Sequence, residues 1–234
     1  MTETILRVLE IIGTIAFAVS GAFVAIKAKL DIFGVLFIGC ITAVGGGITR
    51  DVLIGRFPPA IFSNLYVLLI AALTALVVFI VAYITRKKFD SVLNHVEHVN
   101  NVFDAIGLAA FSVMGTEIAF ANGLQNNAVL AVTLGMLTGV GGGIFRDVLT
   151  DTTPYIFKKH VYALASIFGA ILYYILRAQI GGVLTATLVS ISFIFVLRML
   201  ATKYRWSLPK IRFREEKTDA PKEEQSEKKV NEKL

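Results

Sequence analysis

Residues 44–51 read VGGGITRD and residues 140–147 read VGGGIFRD, identical except for Thr49 against Phe145. Each copy closes a long apolar run, where a glycine triplet and an adjacent Arg-Asp pair are unexpected. A glycine inside a helix costs about 0.8–1 kcal/mol against alanine. A charge at the centre of a bilayer costs at least ~2.5–3.5 kcal/mol on insertion scales. A chain that meets both costs at one place, and does so twice, has built its fold around that place.

The match extends outward from the motif. Gly13, Phe17 and Gly21 correspond to Gly107, Phe111 and Gly115; Gly39, Thr42 and Val44 correspond to Gly135, Thr138 and Val140. Beyond the motif, Pro59-Ala60-Ile61-Phe62 answers Pro154-Tyr155-Ile156-Phe157, and Tyr66 answers Tyr162. Residues 1–90 and 91–178 therefore read as two copies of a three-helix unit, the first ending in a cytoplasmic loop. Residues 179–203 read as a seventh helix, and 204–234 as a basic, then mixed-charge, cytoplasmic tail. A unit with three crossings reverses direction for its second copy, so the repeat is inverted. That arrangement places functional sites near the membrane midplane.

The chain of 234 residues is 56% hydrophobic and 17% charged, with a mean hydropathy of +0.71. A soluble domain carries about a quarter charged residues. Seven stretches, 4–26, 31–54, 64–84, 102–121, 127–149, 160–177 and 180–200, are apolar and long enough to cross a core of roughly 30 Å. The first, with Glu3, Arg7 and Glu10, has no signal-peptide cleavage pattern and reads as a retained helix. The fold class is thus an all-α membrane protein of seven transmembrane helices. Lys27, Lys29, Arg86-Lys87-Lys88, Lys158-Lys159 and the tail cations fall on one side; Arg7, Arg56 and Arg177 fall on the other. The positive-inside rule places the N-terminus outside and the C-terminus in the cytoplasm, for a multi-pass protein of the cell membrane. The net charge of +6 then reports topology, and nucleic acid is not expected as a partner. Residues 215–234 are too charged to bury a core and are expected to be disordered. Lys203, Arg205, Lys210, Arg212 and Arg214, with Tyr204 and Trp206, form an expected interfacial anchor on anionic lipid headgroups.

The glycine triplets, Gly45-Gly46-Gly47 and Gly141-Gly142-Gly143, admit two readings. Small residues let helices pack closely. Alternatively the second and fifth spans kink or open there, leaving backbone polar groups that must face protein or water. The second reading predicts a pore beside the triplets. Arg50, Asp51, Arg146 and Asp147 either staple the two repeats together or line a polar path. Adjacent residues point about 100° apart on a helix, so each charge is expected to pair across the repeat and not with its neighbour. Thr42, Thr49, Thr138 and Glu117 are candidate polar lining; Glu117 is also readable as an interfacial carboxylate. Asp104 reads as an N-terminal helix charge. His95 and His98 lack a convincing ligand set, so no metal site is expected. Cys40 lies in an apolar run and cannot make an internal disulfide as the one cysteine. GGGITRD lacks the Gly-Lys-Ser/Thr ending of a phosphate loop and follows no strand. No hydrolase triad is visible, so an enzyme is not expected.

At these residues the sequence resembles the trimeric intracellular cation channel superfamily, in the prokaryotic branch labelled as glycine-transporter-domain proteins. GGGxxRD in each repeat carries the resemblance, GLAAFSVMGTE (107–117) supports it, and it covers about residues 5–200. It implies kinked second and fifth helices, a homotrimer, and a potassium-permeable cation path in each protomer past the triplets, with Arg50 and Arg146 facing the pore. The permeant monovalent cation is then the only ligand expected, with no cofactor. One departure stands out: the bacterial branch carries a lysine after the second repeat's Gly-Thr-Glu, where this chain has Ile118. A secondary transporter of a small zwitterion such as glycine is the alternative that the same broken-helix repeat would suit.

Overall fold

The computed structural model describes residues 2–158 and 161–206, with backbone alone at 86–96 and 158. Lys210, Arg212, Arg214, the acidic-basic tail and the side chain of His95 lie outside the described residues; His98 is exposed. The described residues are helical throughout, apart from short connections. The elements are α1 (Thr2–Lys27), α2 (Ile32–Leu53), α3 (Ala60–Ser63), α4 (Leu65–Ile84), α5 (Arg86–Ala121), α6 (Ala128–Leu149), α7 (Tyr155–Lys158), α8 (Val161–Ile180) and α9 (Val183–Lys203). Seven of these are long and apolar enough to span a membrane, with α5 contributing Glu97–Ala121.

Local sequence sets the helix ends in the same way in both halves. Asp31 Oδ1 accepts the Gly34 amide at 2.8 Å, and Asn127 Oδ1 accepts the Leu130 amide at 3.0 Å. Each is a side-chain cap on a helix entering the membrane. At the far ends, Gly55 (φ +71°) and Asp151 (φ +52°) turn the chain in the left-handed region. The amides of Arg56 and Thr152 then close onto the carbonyls of Asp51 and Asp147, both at 2.8 Å. That is the Schellman type of helix stop.

The two halves meet as mirror-ordered copies around α1, α5, α2 and α6. The rings of Phe17 and Phe111 pack at 5.3 Å between centroids, and each covers the other repeat's glycine. A Cβ on Gly13 would lie 2.9 Å from the Phe111 ring, and one on Gly107 would lie 2.1 Å from Phe17. At the crossing of α2 and α6, a Cβ on Gly46 would meet the Thr138 carbonyl oxygen at 2.1 Å. One on Gly142 would meet the Thr42 carbonyl oxygen at 1.9 Å. Helix α9, outside the repeat, packs on α5 and α8, and Gly169 of α8 receives Ile194 of α9. Leu69, Leu73 and Val77 of α4 stay exposed along one face, as lipid-facing residues do.

Two expectations are corrected. The triplets do not open their helices: α2 and α6 are helical through 45–47 and 141–143. Missing side chains at Gly46 and Gly142 serve backbone-to-backbone approach instead, and an unbroken hydrogen-bond ladder leaves no freed carbonyls. The segment between the third and fourth spans is helix, not loop, because 86–101 contain no glycine or proline to stop it. Asp104 therefore sits deep in α5, not at its N-terminus.

The glycine contacts yield a test. Gly46→Ala and Gly142→Ala force a methyl group into a backbone carbonyl and are expected to destabilise by about 2–3 kcal/mol. The nearest contact to a Cβ on Gly47 is the end of the Arg50 side chain at 3.7 Å, so Gly47→Ala should be neutral or gain up to ~1 kcal/mol. Thermal unfolding in detergent distinguishes them. Equal melting temperatures for all three would rule out this helix crossing.

Candidate functional site

Both charged motifs fall near the ends of α2 and α6, and in each the arginine folds back onto the following aspartate. Arg50 Nε and Nη2 donate to Asp51 Oδ1 at 2.9 and 2.8 Å. Arg146 Nε donates to Asp147 Oδ1 at 2.8 Å. The expectation that neighbours would not pair is therefore corrected. The guanidinium stem is long enough to curl across the 100° separation, and a desolvated charge takes the partner within reach. The second oxygen of each aspartate anchors the chain beyond the motif. Asp51 Oδ2 accepts the Ala60 amide and Asp147 Oδ2 accepts the Tyr155 amide, both at 2.8 Å.

The surroundings of the two pairs differ. On the side of the membrane that holds the N-terminus, Arg50 and Asp51 border a narrow, half-open cleft of about 40 Å³ with Glu10, Thr14, Gly47 and Thr138 on its walls. Glu10 accepts a hydrogen bond from the Tyr66 hydroxyl across α1 and α4. On the opposite side the corresponding space is filled. Arg146 Nη1 donates to Asp104 Oδ1 at 2.8 Å and to Ser20 Oγ at 2.6 Å, and its guanidinium lies 5.0 Å from the Tyr155 ring centre. Burial, the largest influence, pushes the Tyr155 phenol up. Arg198 of α9 brings Nη2 to 3.8 Å from Asp104 Oδ2 and lies 4.6 Å over the Tyr162 ring. Arg146 and Asp104 are both 0% exposed. Arg50 and Asp51 are nearly as buried, at 5% and 1% exposed; the two sites differ in that Arg50 has Asp51 alone as its ion partner beside a narrow cleft, whereas Arg146 also holds Asp104.

The other sequence candidates distribute as follows. Gly45, Gly46, Gly141 and Gly142 form the α2–α6 contact, while Gly47 and Gly143 face the arginine side chains. The hydroxyls of Thr42, Thr49 and Thr138 donate to their own helices, to Ile38, Gly45 and Leu134 carbonyls. That is the common fate of such residues in apolar helices. Thr138 also borders the cleft. Glu117 stands apart, accepting from Tyr173 Oη at 2.8 Å and Arg177 Nε at 3.1 Å, with Arg177 over the Phe120 ring. Among the described residues no group of three or more His, Cys, Asp or Glu could hold a metal. Glu10, Ser20, Asp104, Tyr162 and Arg198 are site residues the motifs alone did not mark. Extending the Gly13–Gly107 register three residues back would have aligned Glu10 with Asp104. Beside Tyr66 and Tyr162, that makes a carboxylate–tyrosine pair in each half.

The family model for glycine transporters matches residues 7–83 and again residues 101–178, one match to each half. The inner membrane protein YadS of Escherichia coli (strain K12) is 34% identical over 205 residues, covering 86% of this chain and 93% of its own. Among solved structures, a prokaryotic TRIC channel crystallised in 0.5 M KCl matches with a TM-score of 0.78 at 33% identity, over 88% of this chain and 100% of that one. The trimeric intracellular cation channel orthologue from Rhodobacter sphaeroides matches with a TM-score of 0.77 at 29% identity, over 87% and 100%.

The asymmetry of the two clusters sets unequal consequences for removing each arginine. Arg146→Ala leaves Asp104 and Asp147 buried without their main cation, and should destabilise by about 3–5 kcal/mol. Arg50→Ala leaves one buried carboxylate, Asp51, unpaired instead of two and should lose roughly half of that. Thermal melting of the two purified variants reads the difference. Equal losses would mean that the second carboxylate, Asp104, adds nothing to the Arg146 site.

Proposed function

Because the chain belongs to the prokaryotic, glycine-transporter branch of the trimeric intracellular cation channel superfamily, we propose that it is a monovalent cation channel, permeable to potassium, of the prokaryotic plasma membrane. It assembles as a homotrimer with a separate path in each protomer. The observation that carries this reading is the cleft at Arg50–Asp51, which reaches the crossing of α2 and α6 from one face of the membrane. The repeat-related cluster at Arg146–Asp147 approaches the same crossing from the other.

The chemistry of the cleft suits a cation. Glu10 and Asp51 outnumber Arg50, so its walls carry a net charge of −1, and low-dielectric surroundings focus that charge into the opening. Unbroken helices supply no freed carbonyls, so the hydroxyls of Thr14 and Thr138 and the two carboxylates take over the ion's hydration. Arg50, neutralised by Asp51, sets the barrier height without closing the cleft to cations. The Gly46–Thr138 and Gly142–Thr42 contacts are too close for an ion to pass. Conduction therefore requires α2 and α6 to part at the triplets, where Gly46 and Gly142 meet the facing backbone and Gly45 meets the Phe145 ring. The N-terminus faces outward and the C-terminal tail lies on the cytoplasmic leaflet, where its first basic residues meet anionic headgroups.

The same cleft favours one alternative. Arg50 can bind a carboxylate and Glu10 an ammonium group, the two ends of a small zwitterion such as glycine, which would make the protein a secondary transporter.

Purified protein in planar bilayers under potassium and sodium gradients, beside radiolabelled glycine uptake into liposomes, decides between them. Unitary currents reversing near the potassium potential are expected. Glu10→Gln should lower conductance about two- to threefold at low ionic strength and much less in molar salt, where the Debye length falls to ~3 Å. Saturable glycine flux with no unitary current would overturn the channel reading.

A further inference from the structure

The seventh span contributes one buried charge, and the inverted repeat has no counterpart for it. Arg198 is 2% exposed, and its helix lies outside both three-helix units. Without it, the cluster of Asp104, Asp147 and Arg146 would carry a net charge of −1, the same as Glu10, Asp51 and Arg50 in the open cleft. Arg198 brings that half to neutrality and fills it.

The way Arg198 is held differs from the way Arg146 is held. Arg146 makes hydrogen bonds of 2.6–2.8 Å to Asp147, Asp104 and Ser20. Arg198 approaches Asp104 Oδ2 only to 3.8 Å and rests on the face of Tyr162. Its Nε and Nη2 are buried without a hydrogen-bond partner, as are Asp104 Oδ2 and the Tyr162 hydroxyl that face the same space. Arg146 is thus built into the framework, whereas Arg198 is seated on a carboxylate oxygen and an aromatic face. In the open half the corresponding residues, Glu10 and Tyr66, bond to one another and leave a cleft. In the enclosed half a guanidinium stands between Asp104 and Tyr162.

We propose that Arg198 is a tethered cation that occupies the permeant-ion position beside Asp104 and closes the C-terminal half of the path. This rests on the channel reading above. A carboxylate oxygen without a hydrogen bond and an aromatic face are both cation ligands. A covalently attached guanidinium saturates them at an effective concentration that no free ion matches. Withdrawal of Arg198, by a shift of α9 on its Gly169–Ile194 contact with α8, would leave a negative cleft on the C-terminal side to match the one at Arg50.

Single-channel recording of Arg198→Met tests this, since methionine keeps the packed stem and removes the cation. Potassium current per protein is expected to rise by roughly tenfold, and guanidinium added on the C-terminal side should suppress the excess current in the variant but not in the parent. Tyr162→Leu, which removes the ring beneath the guanidinium and keeps the charge, should raise open probability by a smaller factor, about three- to tenfold. A parent that conducts potassium, with both variants indistinguishable from it, overturns the plug and leaves the channel intact. If neither parent nor variants conduct, the channel reading fails and the plug fails with it. If neither variant can be recovered as folded protein, Arg198 is a structural staple and the plug is likewise overturned.

Discussion

Two helices touch backbone to backbone at the centre of this molecule, and the rest of the structure depends on that contact. Gly46 lies against the Thr138 carbonyl and Gly142 against the Thr42 carbonyl, so neither position has room for a side chain. The approach is reciprocal because the chain carries the same helix twice, in opposite orientations. Arg50 and Arg146 each lie four residues, about one turn, beyond the glycine at this crossing, near the ends of α2 and α6. Each arginine folds back onto the aspartate that follows it, and Arg146 reaches Asp104 and Ser20 as well. Each aspartate in turn uses its free oxygen to hold the chain beyond the motif, at Ala60 and Tyr155. The glycines and charges of GGGxxRD are parts of one device: the glycines bring the helices together, and the Arg-Asp pairs fix what emerges on each side.

Much of this was legible in the sequence, and the limits have physical reasons. Seven spans could be read because a bilayer demands long uninterrupted apolar runs. The inverted repeat could be read because its two motifs agree at seven of eight positions. Glycine triplets signalled a special place but not which special thing occurs there. Helix propensity argues for a break, while burial of the backbone in a helix crossing overrides propensity and keeps the ladder whole. Neighbour pairing of arginine with aspartate was missed by treating side chains as short spokes at fixed angles. The long helix α5 was read too short because its first turns are polar, although nothing in 86–101 ends a helix. Asp104 was misread in consequence.

Arg198 was beyond reach for a different reason. It belongs to no motif, and its significance lies in meeting Asp104 and Tyr162 from two other helices. Such a contact is a property of tertiary packing and leaves no periodic trace. The carboxylate–tyrosine pairs at Glu10–Tyr66 and Asp104–Tyr162 were available in principle, since both follow from the register of flanking residues already aligned.

A strictly symmetrical inverted repeat would offer the same polar opening to both sides of the membrane. The cluster in each half, Glu10, Asp51 and Arg50 or Asp104, Asp147 and Arg146, holds two carboxylates and one arginine, so both would be negative by one unit. A surplus charge facing an open cleft is stabilised by water and by mobile cations. The same surplus enclosed among helices has neither, and must be balanced by a fixed opposite charge. The seventh helix supplies that charge on one side only. Asymmetry in this protein therefore does not arise within the repeat, whose backbone contacts and caps are reproduced from half to half. It is added by the helix outside the repeat, through one guanidinium, which fills the space beside Asp104 on that side only.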